Sequence, residues 1–251
     1  MSDKPAPDIS FQGVSKHFDD RAVLSDVSLD VAQGETLCLM GRSGTGKSVT
    51  LKLMIGLIRP DQGQICIQDR NIHGLDQDVL SQARRRMGFL FQNGALYSPV
   101  SLSDNLALPL QRFTKKSKQE IDATVQQRLD EVGLGNDRYK MPAELSGGMR
   151  KRAGLARALV LEPCILLADE PTSGLDRVTA SEIDELLLSL KEKGKTMVIV
   201  THDIHGARRV GDRIAVLDQG RIVAIGKSRD LEKDENELVR ALVSQEDCDE
   251  R

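Results

Sequence analysis

Hydrophobic and polar positions change rhythm several times along this chain. Short strand-like runs come first, at 9–11, 27–31 and 64–68, separated by turn signals at Asp19-Asp20 and Asp61-Gln62-Gly63. They predict a small antiparallel layer near the N-terminus. Thr36–Met40 is a compact apolar strand that runs into a glycine-rich loop. Residues 48–57 then carry Val49, Leu51, Leu53, Met54 and Leu57 in a helix. Later strands are expected at 164–168, Thr196–Val200, 213–217 and 222–225. The first two of these are almost wholly apolar, as in strands buried on both faces of a parallel sheet. Between them, Ile183, Leu186, Leu187 and Leu190 recur at helical spacing within 178–193. The core therefore reads as α/β, built from β-α-β units with right-handed crossovers.

The stretch from 93 to 145 breaks this alternation. It is rich in charged and polar residues, notably 114–120, and 121–132 has helical rhythm. An inserted helical subdomain is expected there. Residues 1–8 read as a loose tail and 244–251 as an acidic, frayed end. Between 236 and 243, Leu238, Val239, Leu242 and Val243 form a short amphipathic helix. It has two readings: packing on a partner chain, or covering the chain's own core.

Composition narrows the function. Of 251 residues, 39% are hydrophobic and 29% charged, the balance of an ordinary globular protein. Aromatics are 3% with no Trp, which argues against stacking on single-stranded nucleic acid. The net charge of -3 gives no overall attraction to DNA, so no nucleic-acid partner is expected. Cys38, Cys66, Cys164 and Cys248 include no C-x-x-C pair, so a zinc site is not indicated and a reducing compartment fits. The N-terminal residues lack the apolar core of a signal peptide. No apolar run approaches the ~20 residues that span a bilayer.

Chemistry enters at the glycine-rich loop. Gly41-Arg42-Ser43-Gly44-Thr45-Gly46-Lys47-Ser48, followed by Val49, fits the pattern G-x-x-x-x-G-K-[ST] and lies between a strand and a helix. Glycines let the backbone curl so that several N–H groups face one anion. The helix offers its positive end to phosphate. Lys47 places a charge on the β- and γ-phosphates, and the Ser48 hydroxyl ligates Mg²⁺. Four specified positions arise by chance in roughly one chain in a hundred, and the strand–loop–helix context lowers that further. A second feature is Leu166-Leu-Ala-Asp169-Glu170, two carboxylates at the end of a buried strand. Asp169 would hold Mg²⁺ through water and Glu170 would act as general base. Read alone, the pair could be a solvated turn. A third is Leu145-Ser146-Gly147-Gly148-Met149, an N-cap serine with exposed backbone N–H groups opening a helix at about 149–160.

Together these motifs resemble the nucleotide-binding subunit of an ATP-binding cassette (ABC) transporter. They stand in that family's order: the loop, Gln92 after a strand at 87–91, Leu145–Met149, Asp169-Glu170, Ser173-Gly-Leu-Asp176 and Thr201-His202-Asp203. The resemblance covers roughly 8–230. It implies a P-loop NTPase (RecA-like) fold spanning 9–235, with core segments 9–92 and 156–235, an N-terminal antiparallel layer and a helical subdomain at 93–155. It implies ATP and Mg²⁺ as cofactors, Lys47, Glu170 and His202 as catalytic groups, and Ser48, Gln92 and Asp169 around the metal. It implies a head-to-tail pair in which Ser146 and Gly148 of one copy meet the other copy's γ-phosphate. Asp176 would couple the two sites, and Phe18 would stack on adenine unless it is a core Phe. The signature segment departs from the family by ending in Met149 rather than Gln. Its phosphate contacts come from Ser146 and glycine N–H groups, so activity should survive.

Two stretches are similar to a narrower branch, the ATPases of Mce-type phospholipid transport, as in the Mla system of outer-membrane lipid asymmetry. One is 91–109; the other is 145–153, with Met149 and the basic triplet Arg150-Lys151-Arg152. This implies transmembrane permease subunits, an Mce-type lipid-binding partner, and a place on the cytoplasmic face of the inner membrane. Amino-acid importers and lipoprotein-releasing systems are the alternative branches. A GTPase would carry Asn-Lys-x-Asp, and no such string occurs. A small-molecule kinase would lack the Ser-Gly-Gly segment. Non-transport ABC ATPases usually carry two cassettes or a long coiled-coil insertion.

Overall fold

A computed structural model describes residues 7–244. In chain order it contains β1 (Ile9–Phe18), β2 (Arg21–Val31), β3 (Thr36–Met40), α1 (Lys47–Met54), β4 (Gln62–Ile67), β5 (Arg70–Asn71), α2 (Gln77–Arg85) and β6 (Met87–Leu90). Then follow α3 (Leu102–Phe113), α4 (Lys118–Glu131), α5 (Gly147–Leu159), β7 (Ile165–Asp169), α6 (Arg177–Glu192), β8 (Thr196–Val200), α7 (Ile204–Val210), β9 (Arg213–Asp218), β10 (Arg221–Gly226), α8 (Ser228–Leu231) and α9 (Glu237–Val243).

Two sheets result. An antiparallel layer has the order β2-β1-β4-β5, and a larger sheet has the order β10-β9-β3-β8-β7-β6. In the larger sheet β9, β3, β8, β7 and β6 are parallel, with β10 antiparallel at one edge. The apolar strands alternate their side chains between two cores, as the two-residue repeat of a strand requires. Leu37, Leu39, Leu167, Val198 and Val200 face the antiparallel layer and α1, meeting Phe11, Val27, Ile65 and Leu51. Cys38, Met40, Leu166, Ala168, Met197 and Ile199 face the other way, onto Ile183 and Leu187 of α6.

A third core joins α3, α4 and α5 through Leu102, Leu106, Val125, Leu129, Ala153 and Ala156. Ser117 opens α4 with a capping box, accepting from Glu120 N while the Glu120 carboxylate accepts from Ser117 N. The segment before α3 is held by Asn105, which is fully buried. Its Oδ1 accepts from Tyr97 N at 2.8 Å, and its Nδ2 donates to the carbonyls of Tyr97, Val100 and Ser101. A loop closed by one side chain keeps its shape without a hydrophobic core of its own.

The structure corrects one expectation, adds a helix and decides between two readings. Asp8 does not belong to a loose tail: it is buried, accepts from Thr196 Oγ1 and Gln68 Nε2, and its carbonyl accepts from Gln68 N. Two donors on the carboxylate and a third on the backbone carbonyl anchor the residue. Residues 1–6 lie outside the described residues, as do 245–251. The helix α2 was not foreseen, because Leu80 is its only buried residue and the apolar signal is correspondingly thin. Finally, α9 covers its own core: Val239 and Val243 are fully buried in the cluster around β8 and α6, and Arg208 Nη2 donates to Val243 O at 2.7 Å. Among the described residues, no helix is long and apolar enough to cross a membrane.

Candidate functional site

Four loops meet at one edge of the large sheet. Strands β3, β8, β7 and β6 are neighbours and parallel, so their carboxyl ends lie side by side. Ligands of parallel α/β sheets bind at that edge. Gly41 follows β3, Thr201-His202 follows β8, Asp169-Glu170 ends β7, and Gln92 lies just past β6.

The loop after β3 wraps the start of α1. Gly46 is the N-cap, at φ 106°, and supplies no side chain to the cap. A Cβ on Gly46 would lie 2.9 Å from Val23 O, so both the backbone angle and the close approach of β2 require glycine. No acidic residue stands in the first turn of α1, which leaves the helix's positive end free for an anion. The Lys47 ammonium donates to Gly41 O at 2.8 Å and Arg42 O at 3.0 Å, so it lies folded over its own loop. Burial lowers its pKa, while the carboxylates of Glu170 and Asp169 oppose that shift. Thr45 Oγ1 donates to Arg42 O at 2.9 Å and tightens the curl.

Ser43, Gly44, Gly46, Lys47, Ser48 and Val49 line a cavity of about 280 Å³ together with Val23, Gln92 and Glu170. Ser48 Oγ donates to Asp169 Oδ1 at 3.0 Å beneath it. Burial raises the Asp169 pKa, and the Ser48 hydrogen bond counters it.

Glu170 occupies an unusual backbone position. Its φ is 50°, in the left-handed region. For a residue with a Cβ this costs about 1–2 kcal/mol, and such strain persists only where surroundings over-determine it. Here Glu170 N donates to Val200 O at 2.9 Å, while Glu170 O accepts from Ser173 Oγ at 3.1 Å and from the Lys151 ammonium. Glu170 Oε2 lies 2.8 Å from His202 Nδ1. His202 itself is mostly exposed.

The remaining predicted residues form a separate cluster. Ser146 caps α5, accepting from Met149 N at 3.2 Å. Asp176 caps α6, accepting from Thr179 N at 3.0 Å and Thr179 Oγ1 at 2.8 Å. These bonds hold its carboxyl below the usual range. Gly148 joins the two caps, since a Cβ there would lie 2.3 Å from Thr179 Cγ2. Ser146, Gly148 and Asp176 do not line the phosphate-loop cavity. Phe18 ends β1 and is 45% exposed, with Lys16 Nζ 5.4 Å from its ring centre. It is therefore not a core residue.

Three contributors escaped the sequence reading. Val23 lines the cavity from the antiparallel layer, which no local motif reveals. Asn105 looks like any surface amide of a polar helix. Lys151 sits on α5 at 6% exposure and donates to Glu170 O and, at 3.3 Å, to Ser173 Oγ. The basic triplet was its only signal.

Comparison with known proteins agrees with this geometry. The profile described as ABC transporter matches residues 24–173. The chain belongs to the ABC transporter family. It is 44% identical over 237 residues to the "Probable ribonucleotide transport ATP-binding protein mkl" of Mycobacterium leprae, covering 94% of this chain and 68% of that protein. It is 40% identical to the "Methionine import ATP-binding protein MetN" of Cupriavidus metallidurans, covering 94% of this chain and 70% of that one. Among solved structures, a dimeric ATP-binding cassette in a post-hydrolysis state with ADP and Pi superposes with a TM-score of 0.82 at 35% identity, over 87% of this chain and 98% of that one. The structure of cbiO1 from Clostridium perfringens, part of the ABC transporter complex cbiONQ, gives a TM-score of 0.80 at 25% identity, over 94% of this chain and 99% of that one. This ABC cassette is accordingly an ATP-binding ATPase, the motor of an ABC transporter, and its fold is the mixed α/β cassette with an antiparallel N-terminal sheet.

Proposed function

We propose that the chain hydrolyses ATP as a head-to-tail homodimer docked on transmembrane permease subunits, with phospholipid as cargo. The observation that carries the dimer is a separation. The loop and Glu170 share one cavity, and His202 joins it through Glu170, while Ser146 and Gly148 lie on a different cluster of the same chain. A second copy facing the first would supply the missing serine and glycine N–H groups. The dimeric relative bound to ADP and Pi supports this reading.

The roles follow from geometry. Phe18, exposed at the end of β1, would stack on adenine. Backbone N–H groups from Gly41 to Val49 would cradle the phosphates, and Lys47 would exchange its two loop carbonyls for phosphate oxygens. Ser48, Asp169 and Gln92 offer the hard oxygen donors that Mg²⁺ prefers, and Ser48 and Asp169 already meet at 3.0 Å. When bound, Mg²⁺ neutralises charge on the β- and γ-phosphates. Water attacks the γ-phosphorus, the bond to the β-bridging oxygen breaks, and the water's proton passes to Glu170. His202 orients that carboxylate and would reach the γ-phosphate in cis. Asp176 would relay between sites through Thr179 and Gly148.

Mce-type cargo is supported by 91–109 and 145–153, which resemble that branch and which build the Asn105-held loop and the start of α5. The permease places the chain on the cytoplasmic face of the inner membrane. Methionine import is the second reading, favoured by the relative at 40% identity. Glu170→Gln should bind ATP normally, hydrolyse it ~10²–10⁴-fold more slowly, and run as a dimer by light scattering. Normal turnover would remove Glu170 from its role. Affinity capture of that trapped form from membranes should bring a permease with an Mce-type protein; an amino-acid permease would replace the lipid reading.

A further inference from the structure

Lys151 belongs to the basic triplet of α5, but the three residues part company in the fold. Arg150 is exposed. Arg152 donates to Val132 O at 3.1 Å, on the helical side. Lys151 alone of the three reaches the Glu170 turn and is buried, at 6% exposure. Its ammonium donates to the carbonyl of Glu170 and to Ser173 Oγ, and Ser173 Oγ donates to the same carbonyl at 3.1 Å.

Burying an ammonium whose hydrogen-bond acceptors are neutral is a costly way to fasten a turn, and burial outweighs the opposing pull of the Glu170 and Asp169 carboxylates. An unbranched apolar side chain of similar size would fill the space more cheaply. What the ammonium supplies is a strong, charge-assisted hold on one carbonyl. That carbonyl belongs to the residue in the left-handed conformation, at φ 50°. Backbone rotation there swings the Glu170 carboxylate away from His202. The anchor sits one helical turn beyond Ser146 and Gly148. Lys151 also borders a cavity of about 570 Å³ shared with Gln92, Arg150 and Leu175.

We propose that Lys151 is a positioning residue that fixes the Glu170 turn and links it to the helix carrying Ser146 and Gly148. This rests on Glu170 as general base and on the head-to-tail dimer. In that dimer Glu170 serves its own chain's ATP, while Ser146 serves the partner's. The Lys151 contact therefore joins the two ATP sites through one chain, so that movement of α5 on one nucleotide reaches the general base of the other.

Lys151→Met keeps length and fills the site without charge. Turnover should fall ~10–100-fold, while ATP affinity and ATP-driven dimerisation stay within about threefold and thermal stability is kept. Lys151→Arg should recover part of the turnover. In the Glu170→Gln background, Lys151→Met should add no further loss, because the group it positions is already disabled. If Lys151→Met folds poorly, Lys151→Gln provides the same comparison. Turnover within twofold of the parent, with Glu170→Gln still inactive, would overturn this inference and leave the general base in place. Loss of ATP affinity equal to the loss of turnover would make Lys151 a structural residue. Normal hydrolysis by Glu170→Gln would instead remove the reading beneath it.

Discussion

His202 Nδ1 lies 2.8 Å from Glu170 Oε2, so that the residues following two neighbouring strands are joined above the sheet edge. The carboxylate making this contact belongs to a residue in the left-handed conformation, at φ 50°. A carboxylate held by an imidazole has a fixed direction, which a general base needs when its substrate is one water molecule.

Replacing His202 by Ala should therefore cost turnover rather than binding. We expect phosphate release to drop ~10–100-fold with ATP affinity within a few-fold. Combined with Glu170→Gln, the change should be silent, since the two residues act as a unit. Steady-state kinetics and nucleotide titration of the single and double variants check this. A raised KM with unchanged kcat would mean that the pair only helps ATP to bind.

Gly148 is a packing requirement as well as a source of N–H groups. A Cβ at 148 would collide with Thr179 Cγ2 at 2.3 Å. Gly148→Ala should destabilise the chain by about 1–3 kcal/mol, read as a lower Tm, and should disturb the Asp176 cap that Thr179 completes. Thr179→Ser removes the colliding methyl and keeps the hydroxyl. The double variant should regain most of the stability, and failure to do so would place the strain elsewhere.

Asp184 links stability to pH. It is buried on α6, with Asp203 nearby and Arg209 Nη1 4.0 Å away. Burial, then Asp203, pushes its pKa up to about 6, from 3.8, against the pull of Arg209. The fold thus favours the protonated form. That contribution is fully present below pH 3.8 and is lost as pH rises through about 6. Asp184→Asn has no charge to bury. It should be more stable than wild type by about 1–3 kcal/mol at pH 7–8, with the gain shrinking to nothing near pH 4. Chemical denaturation at several pH values measures this, and a gain independent of pH would exclude the titration of Asp184.

The sequence by itself determined the local pieces. Apolar runs announced β3, β7 and β8, because strands buried on both faces carry no polar alternation. The glycine-lysine-serine loop announced itself because backbone curl and phosphate charge demand those residue types at that spacing. Ser146 could be read as a cap, since capping is a contact between residues three apart. Tertiary structure decided whatever depends on distant segments meeting. Strand order brought Gln92, Glu170 and His202 to the loop, and no spacing in the chain encodes that order. Val23 reaches the cavity from another sheet. Asp8 is tied to Thr196 and Gln68 across most of the chain. The amphipathic α9 was ambiguous because its pattern shows that one face is apolar but not which surface covers it. Lys151 read as one basic residue among three on a helix. Only the packing of α5 against the Glu170 turn distinguished it, because burial of a charge is a property of the assembled fold.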